Sequence, residues 1–88
     1  MDLQIFPNPV DYEFSMALNV GEDSELNIEV VNVLAQTTYR TDFELVQGIQ
    51  TLYFGADMVS QAMPESGIYI LNLHIDGRFV GAKKIIKQ

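Results

Sequence analysis

An Asp-Gly pair set between two strand-like runs limits this chain more than any other feature of its sequence. Ile68 to Ile75 and Arg78 to Ile86 flank Asp76-Gly77, and a two-residue Asp-Gly between apolar runs is the strongest short-range signal for a β-hairpin. In the first run Tyr69, Leu71, Leu73 and Ile75 share one face, while Asn72 and His74 fall on the other, the pattern of a strand with one buried side. In the second run Val80, Ala82 and Ile86 share a parity that Lys84 interrupts, with Phe79 and Ile85 opposite. Such a run, apolar on both faces and carrying its own lysines, is expected at the edge of a sheet with unpaired main-chain groups.

The rest of the chain repeats the two-residue period. Leu3-Gln4-Ile5-Phe6 reads as a short strand stopped by Pro7-Asn8-Pro9, whose prolines remove ladder donors. Tyr12, Phe14, Met16, Leu18 and Val20 alternate with polar or small residues up to the turn Gly21 to Ser24. Leu26, Ile28 and Val30 follow on one parity, then the apolar positions slip to Val31 and Val33, which predicts a β-bulge. After a turn at Leu34-Ala35-Gln36, the residues Thr37, Tyr39, Thr41, Phe43 and Leu45 alternate again. Val46-Gln47-Gly48 turns the chain, and Leu52 and Phe54 mark a short fifth strand. Met58 to Ser66 shows no period and is read as a loop that lays Met58, Val59 and Met63 over the open end of the core.

About seven short strands with turns every 8–12 residues and no helix-length pattern predict an all-β fold, an antiparallel immunoglobulin-like β-sandwich of about seven strands, with a small barrel as the alternative. At 88 residues the chain is one domain, residues 1–88, small enough for its core to be only just sufficient. Without cysteine, apolar packing must hold it, and hydrophobic residues make up 48% of the sequence.

Composition narrows function by exclusion. The formal charge of −7 opposes a nucleic-acid partner, which needs a basic footprint. Four of the five basic residues, Arg78, Lys83, Lys84 and Lys87, follow Asp76, so the end of the chain forms a basic patch on an acidic body. No apolar run reaches the ~20 residues of a membrane span, and the start lacks the features of a signal peptide. An export signal, if there is one, is expected outside this chain.

Nothing in the sequence assembles chemistry. His74 is the sole histidine and is expected on a polar face, so multi-histidine metal sites and histidine-based nucleophile triads lack parts. Glu22, Asp23 and Glu25 crowd a turn without the spacing of a calcium loop, and the six glycines are scattered at strand ends. No enzyme activity, cofactor or metal is expected. Phe14, Tyr39, Phe43, Phe54 and Tyr69 lie on inward parities and are read as core. Lys83, Lys84 and Lys87 have two readings, as protection of an edge strand against aggregation or as part of a docking site.

Three blocks taken together carry a resemblance: Phe6-Pro7-Asn8-Pro9, Gly67-Ile68-Tyr69 and Lys83-Lys84-Ile85-Ile86-Lys87. Their order and spacing resemble the type IX secretion system C-terminal sorting domain, type A, a module of proteins exported by Bacteroidetes-type bacteria. Val30 to Gln36 is similar to a further stretch of that family, except that Ala35 stands where glycine is usual and Val31 where an aromatic residue is common. The resemblance implies a seven-stranded sandwich covalently preceded by a cargo domain and recognised by the outer-membrane type IX translocon. A shuttle protein and a sortase would then attach the cargo to lipopolysaccharide at the cell surface or release it. On this resemblance Pro7, Asn8 and Pro9 form the N-terminal motif. Gly67, Tyr69, Lys83, Lys84, Ile85, Ile86 and Lys87 are the candidate partner-recognition residues. The alternative from another class is an immunoglobulin-like adhesion or carbohydrate-binding module, with Tyr12, Tyr39 and Tyr53 as stacking residues.

Overall fold

Alternating sequences fold into strands when one face can be buried, and the buried positions follow the alternation closely. Phe14, Met16, Leu18 and Val20 are all buried, as are Leu26, Ile28 and Val30, and then Tyr69, Leu71 and Leu73. The computed structural model, which describes residues 3–88, gathers these runs into seven strands: β1 (Leu3–Phe6), β2 (Phe14–Val20), β3 (Ser24–Val31), β4 (Thr37–Leu45), β5 (Gly48–Phe54), β6 (Gly67–Ile75) and β7 (Arg78–Lys87). They form two antiparallel sheets, one in the order β1-β2-β5 and the other β4-β3-β6-β7. This is the sandwich predicted from the alternation, with the strand order of immunoglobulin-like folds that carry an extra strand beside the third. Phe14 and Phe54 are a cross-strand pair in the first sheet, stacked at 4.4 Å between ring centroids, and Phe43 of β4 meets Phe54 edge-on at 5.5 Å. Aromatic packing of this kind joins the two sheets through the core.

Met58 to Ser66 is not a loop throughout. Ala56–Ala62 forms a helix, α1, that buries Val59 and Ala62, with Met63 buried directly after it. The spacing explains the helix: Met58 and Ala62, like Val59 and Met63, lie four residues apart and therefore on one helical face. Seven residues make only two turns, so the helix depends on packing against the core rather than on propensity.

The two strand irregularities fall on either side of β6. The bulge expected inside β3 after Val30 falls on its partner instead: Val30 pairs with Tyr39 and Val31 with Thr37, which leaves Thr38 as the extra residue in β4, while β3 stays in regular register with β6. A second bulge was not predicted. Leu73 pairs with Gly81 but His74 pairs with Phe79, which leaves Val80 as the extra residue in β7. Phe79 therefore shares the outer face with Ala82 and Lys84, and its ring meets that of His74 at 5.5 Å.

Two turns hold non-glycine residues at positive φ, and they make opposite predictions. Asp76 (φ 50°) and Gly77 (φ 82°) form the tight hairpin turn expected of Asp-Gly. The turn is also tied to β3, because the Asp76 carboxylate accepts a hydrogen bond from the Glu25 amide at 2.9 Å and the Asp76 amide donates to the Glu25 carbonyl at 3.0 Å. A Cβ on Gly77 would meet nothing within 4 Å, so Gly77→Val tests backbone strain alone and is expected to cost about 1–3 kcal/mol. Ala35 (φ 61°) closes the β3–β4 connection, where the Asn32 carboxamide oxygen accepts from the amides of Leu34 and Gln36 at 2.9 and 3.0 Å. The turn persists with alanine because Asn32 holds it. Ala35→Gly relieves left-handed strain and is expected to stabilise by about 0.5–1 kcal/mol, after allowance for the greater freedom of glycine in the unfolded chain. Urea denaturation of both variants checks the pair; equal midpoints would refute the strain assigned to both turns.

Candidate functional site

The N-terminal and C-terminal blocks, far apart in sequence, meet at the outer edge of β7. Prolines at 7 and 9 take the chain out of ladder pairing after β1, and the Asn8 side chain supplies the hydrogen bonds that the main chain there does not. Its Nδ2 donates to the Lys84 carbonyl at 3.1 Å, and its Oδ1 accepts from the Ile86 amide at 3.0 Å. The carboxamide thus stands in for one peptide unit of a neighbouring strand. Val10 continues the clamp as a parallel bridge to Lys87, its amide donating to the Ile86 carbonyl at 2.7 Å and its carbonyl accepting from the Gln88 amide at 2.8 Å. Val10 is also fully buried. The sequence reading passed over it, although an apolar residue directly after the proline pair was the available signal.

This clamp corrects the expectation that β7 has an unpaired edge. Because the groups of Lys84 and Ile86 point outward to Asn8 and Val10, alternation turns the main chain of Ala82 outward as well. The stretch from the Lys84 carbonyl to Gln88 is consequently occupied, and the open part of the edge is confined to the hairpin side of it, including Ala82. Asn8→Ala removes two hydrogen bonds at an exposed site and is expected to destabilise by about 1–2 kcal/mol. The sharper readout is local: hydrogen exchange at the Ile86 amide is expected to accelerate at least tenfold, and by a larger factor than at the β6 core amides, which follow the global loss of stability. Unaltered exchange at Ile86 would show that the carboxamide does not pair with β7.

The side chains of the candidate recognition residues divide into two groups. Ile85 is fully buried and Tyr69 nearly so, and neither side chain is offered to a partner. The Tyr69 hydroxyl donates to the Glu65 carbonyl at 2.8 Å and accepts from the Glu65 amide at 3.2 Å. It pins the turn after α1, while Gly67 at φ 145° provides a conformation that side chains disfavour at the start of β6. Tyr69 and Gly67 thus shape the entry to the strand that carries β7. Lys83, Lys84 and Ile86 are exposed and Lys87 is half-buried. Lys84 lies opposite Ile70 and Lys83 opposite Leu71, so the lysines flank both faces of the strand. Among the described residues the one ion pair is Arg40–Glu29, and none of these three lysines has a carboxylate partner.

Other candidates do not converge. Asp23 accepts from the Gln47 amide at 2.8 Å and Glu25 from the Asn27 carboxamide at 3.3 Å, so these carboxylates serve the turns and strand faces around them. Glu29 lies well equipped with donors, and the Thr37 hydroxyl, Arg40 and Asn72 hold its carboxyl below the usual carboxylate range. Tyr53 donates to Glu13, and this bond raises its phenol above the ordinary tyrosine value. The three tyrosines of the adhesion alternative do not form a platform: Tyr12 and Tyr53 are exposed, whereas Tyr39, on the other sheet, packs against the core. An open groove of about 490 Å³ lies between the turn at Gly21 and the hairpin tip at Asp76. No helix among the described residues is long and apolar enough to cross a membrane.

Comparison with curated proteins and with solved structures returned no match. A family model does match, the secretion system C-terminal sorting domain, over residues 4–88. That span contains both halves of the clamp, the Gly67–Tyr69 turn and all eight lysine-flanked or proline-marked positions read from the sequence. The chain belongs to the secretion system C-terminal sorting domain family, the sorting module of type IX secretion.

Proposed function

We propose that this chain is the sorting module of a longer exported protein and that β7, held by the Pro7–Val10 clamp, is the element that the translocation machinery reads. Export across the outer membrane is what membership in the family implies. The finer steps belong to the proposal: docking on an outer-membrane translocon, transfer through a shuttle protein to a sortase, and surface attachment or release of the cargo. The observation that carries it is the joining of two motif blocks by Asn8 into one unit, beside lysines that no carboxylate among the described residues engages. A receptor with an acidic groove would meet that patch without competition from the acidic body. The module acts by being bound, with no catalytic step, metal or cofactor of its own.

Fusion of this chain to a periplasmic reporter tests the reading in a type IX-competent bacterium and in a strain lacking the translocon. The reporter is expected outside the first strain and inside the periplasm of the second. Retention in both, or release from both, would overturn the proposed role.

A further inference from the structure

A two-layer sandwich has four edge strands, and three of these are defended. β1 is four residues long and ends at Pro7, β4 carries Arg40, Asp42 and Glu44, and β7 has its lysines and the Asn8 clamp. Short length, proline, charge and a covering segment are the usual means by which natural sheets block edge pairing. β5 has none of them. Its sequence, Gly48-Ile49-Gln50-Thr51-Leu52-Tyr53-Phe54, holds no charge and no proline, in a chain of formal charge −7. β5 pairs only with β2, and among the described residues no hydrogen bond from another element reaches its free side. Two of its outward side chains are large, apolar-bodied and open to solvent: Ile49 is 83% exposed and Tyr53 60%.

We propose that β5 is a self-association edge, where a second copy of this chain adds its own β5 antiparallel about a two-fold axis to make one six-stranded sheet. The occupant follows from two facts. First, two copies carrying −7 each repel, and β5 is a seven-residue edge strand that adds no charge of its own to the contact, neither the carboxylates of β4 nor the lysines of β7. Second, the strand is complementary to itself. A register centred on Thr51 is the one in which all seven residues pair, and it places Ile49 of each copy directly across from Tyr53 of the other. Aromatic and β-branched residues opposite one another on a sheet face are a favourable cross-strand pair. The phenol of Tyr53 reaches Glu13, which precedes β2 and so lies on the side away from the free edge. One strand pair makes a small isologous interface, so the dimer is weak and concentration-dependent.

In this register Thr51 faces its own copy, which gives a test with a built-in rescue. Sedimentation velocity of the unmodified chain from about 10 μM to about 1 mM is expected to show monomer giving way to dimer, the more so in added salt, which screens the repulsion. Thr51→Lys and Thr51→Glu, each with the parent's circular dichroism, are each expected to raise the association midpoint at least tenfold. An equimolar mixture of the two is expected to restore the dimer, because the opposed charges then attract. If either variant misfolds, a mixture of an Ile49→Lys chain with a Tyr53→Glu chain places the opposed charges across the same seam two residues out. A chain that stays monomeric throughout overturns the proposal. So does a dimer that survives both single charges, which would place the contact elsewhere. Protection of the β5 amides only in the presence of an added neutral extended peptide assigns the edge to a foreign strand and likewise refutes self-pairing.

Discussion

Leu71→Ala is expected to remove about 2–5 kcal/mol of stability, the largest loss from any single truncation considered for this domain. Leu71 is completely buried in β6, a central strand, opposite Val30 of β3 on one side and Lys83 of β7 on the other. Its surroundings come from every layer of the molecule: Phe14 and Phe54 from the facing sheet, Ile28 and Val30 from its own, and Val59 and Met63 from α1 and its end. These groups already leave a gap of only about 10 Å³ between them, too small for a ligand and barely the size of one water. A cavity made there cannot close without moving a strand against its ladder, so the cost belongs in the upper half of the range for leucine truncations. Domains of this size hold about 5–15 kcal/mol in total. The urea midpoint should fall by about 2 M or more, given a slope near 1 kcal/mol/M. An unaltered midpoint would mean that β6 presents its other face to the core.

That prediction could be framed from sequence because strands buried on one side write their orientation into a two-residue period, and β2, β3 and β6 keep it without interruption. Where the period breaks, legibility ends. Val80 is an extra residue in β7, and a reading by simple parity put Phe79 on the wrong face relative to Ala82. α1 was missed because two helical turns give too few repeats to stand out from a loop, although Met58 with Ala62 and Val59 with Met63 carried the spacing. The Asn8 clamp was illegible for a different reason. It joins a side chain to the main chain of Lys84 and Ile86, and main-chain partners leave no trace in residue identity. The prolines announced only that the chain leaves the ladder, and which strand Asn8 would meet depended on the closed sandwich. Tyr69 shows the same limit. Its parity marked it as buried, yet the bond between its hydroxyl and Glu65 depends on a turn that begins where α1 ends.

The lysines pose the question that geometry sharpens most. Lys83, Lys84 and Lys87 replaced together by Gln are expected to leave the fold intact and to trap a fused cargo in the periplasm. Stability should hardly change because exposed or half-buried lysines without a carboxylate partner among the described residues contribute little, about 0.5 kcal/mol or less each. The one polar contact among them is from the Lys87 ammonium to the carbonyl of the adjacent Gln88. The clamp also survives, since Asn8 and Val10 bind main-chain groups that glutamine supplies equally. Glutamine keeps most of the aliphatic stem as well, so packing on either face of β7 is preserved. What the variant removes is three of the five basic side chains of a chain with formal charge −7, and with them the field that distinguishes β7 from the acidic body. Melting at moderate salt, where added self-repulsion is screened, should agree with the parent within about 4 °C. Export is then read separately, by the reporter's location. Retention with an unaltered melt assigns recognition to charge on β7. Normal export with the same melt reduces the lysines to guards of a sheet edge, and recognition would pass to the exposed turn at Gly67 or to an outer sheet face.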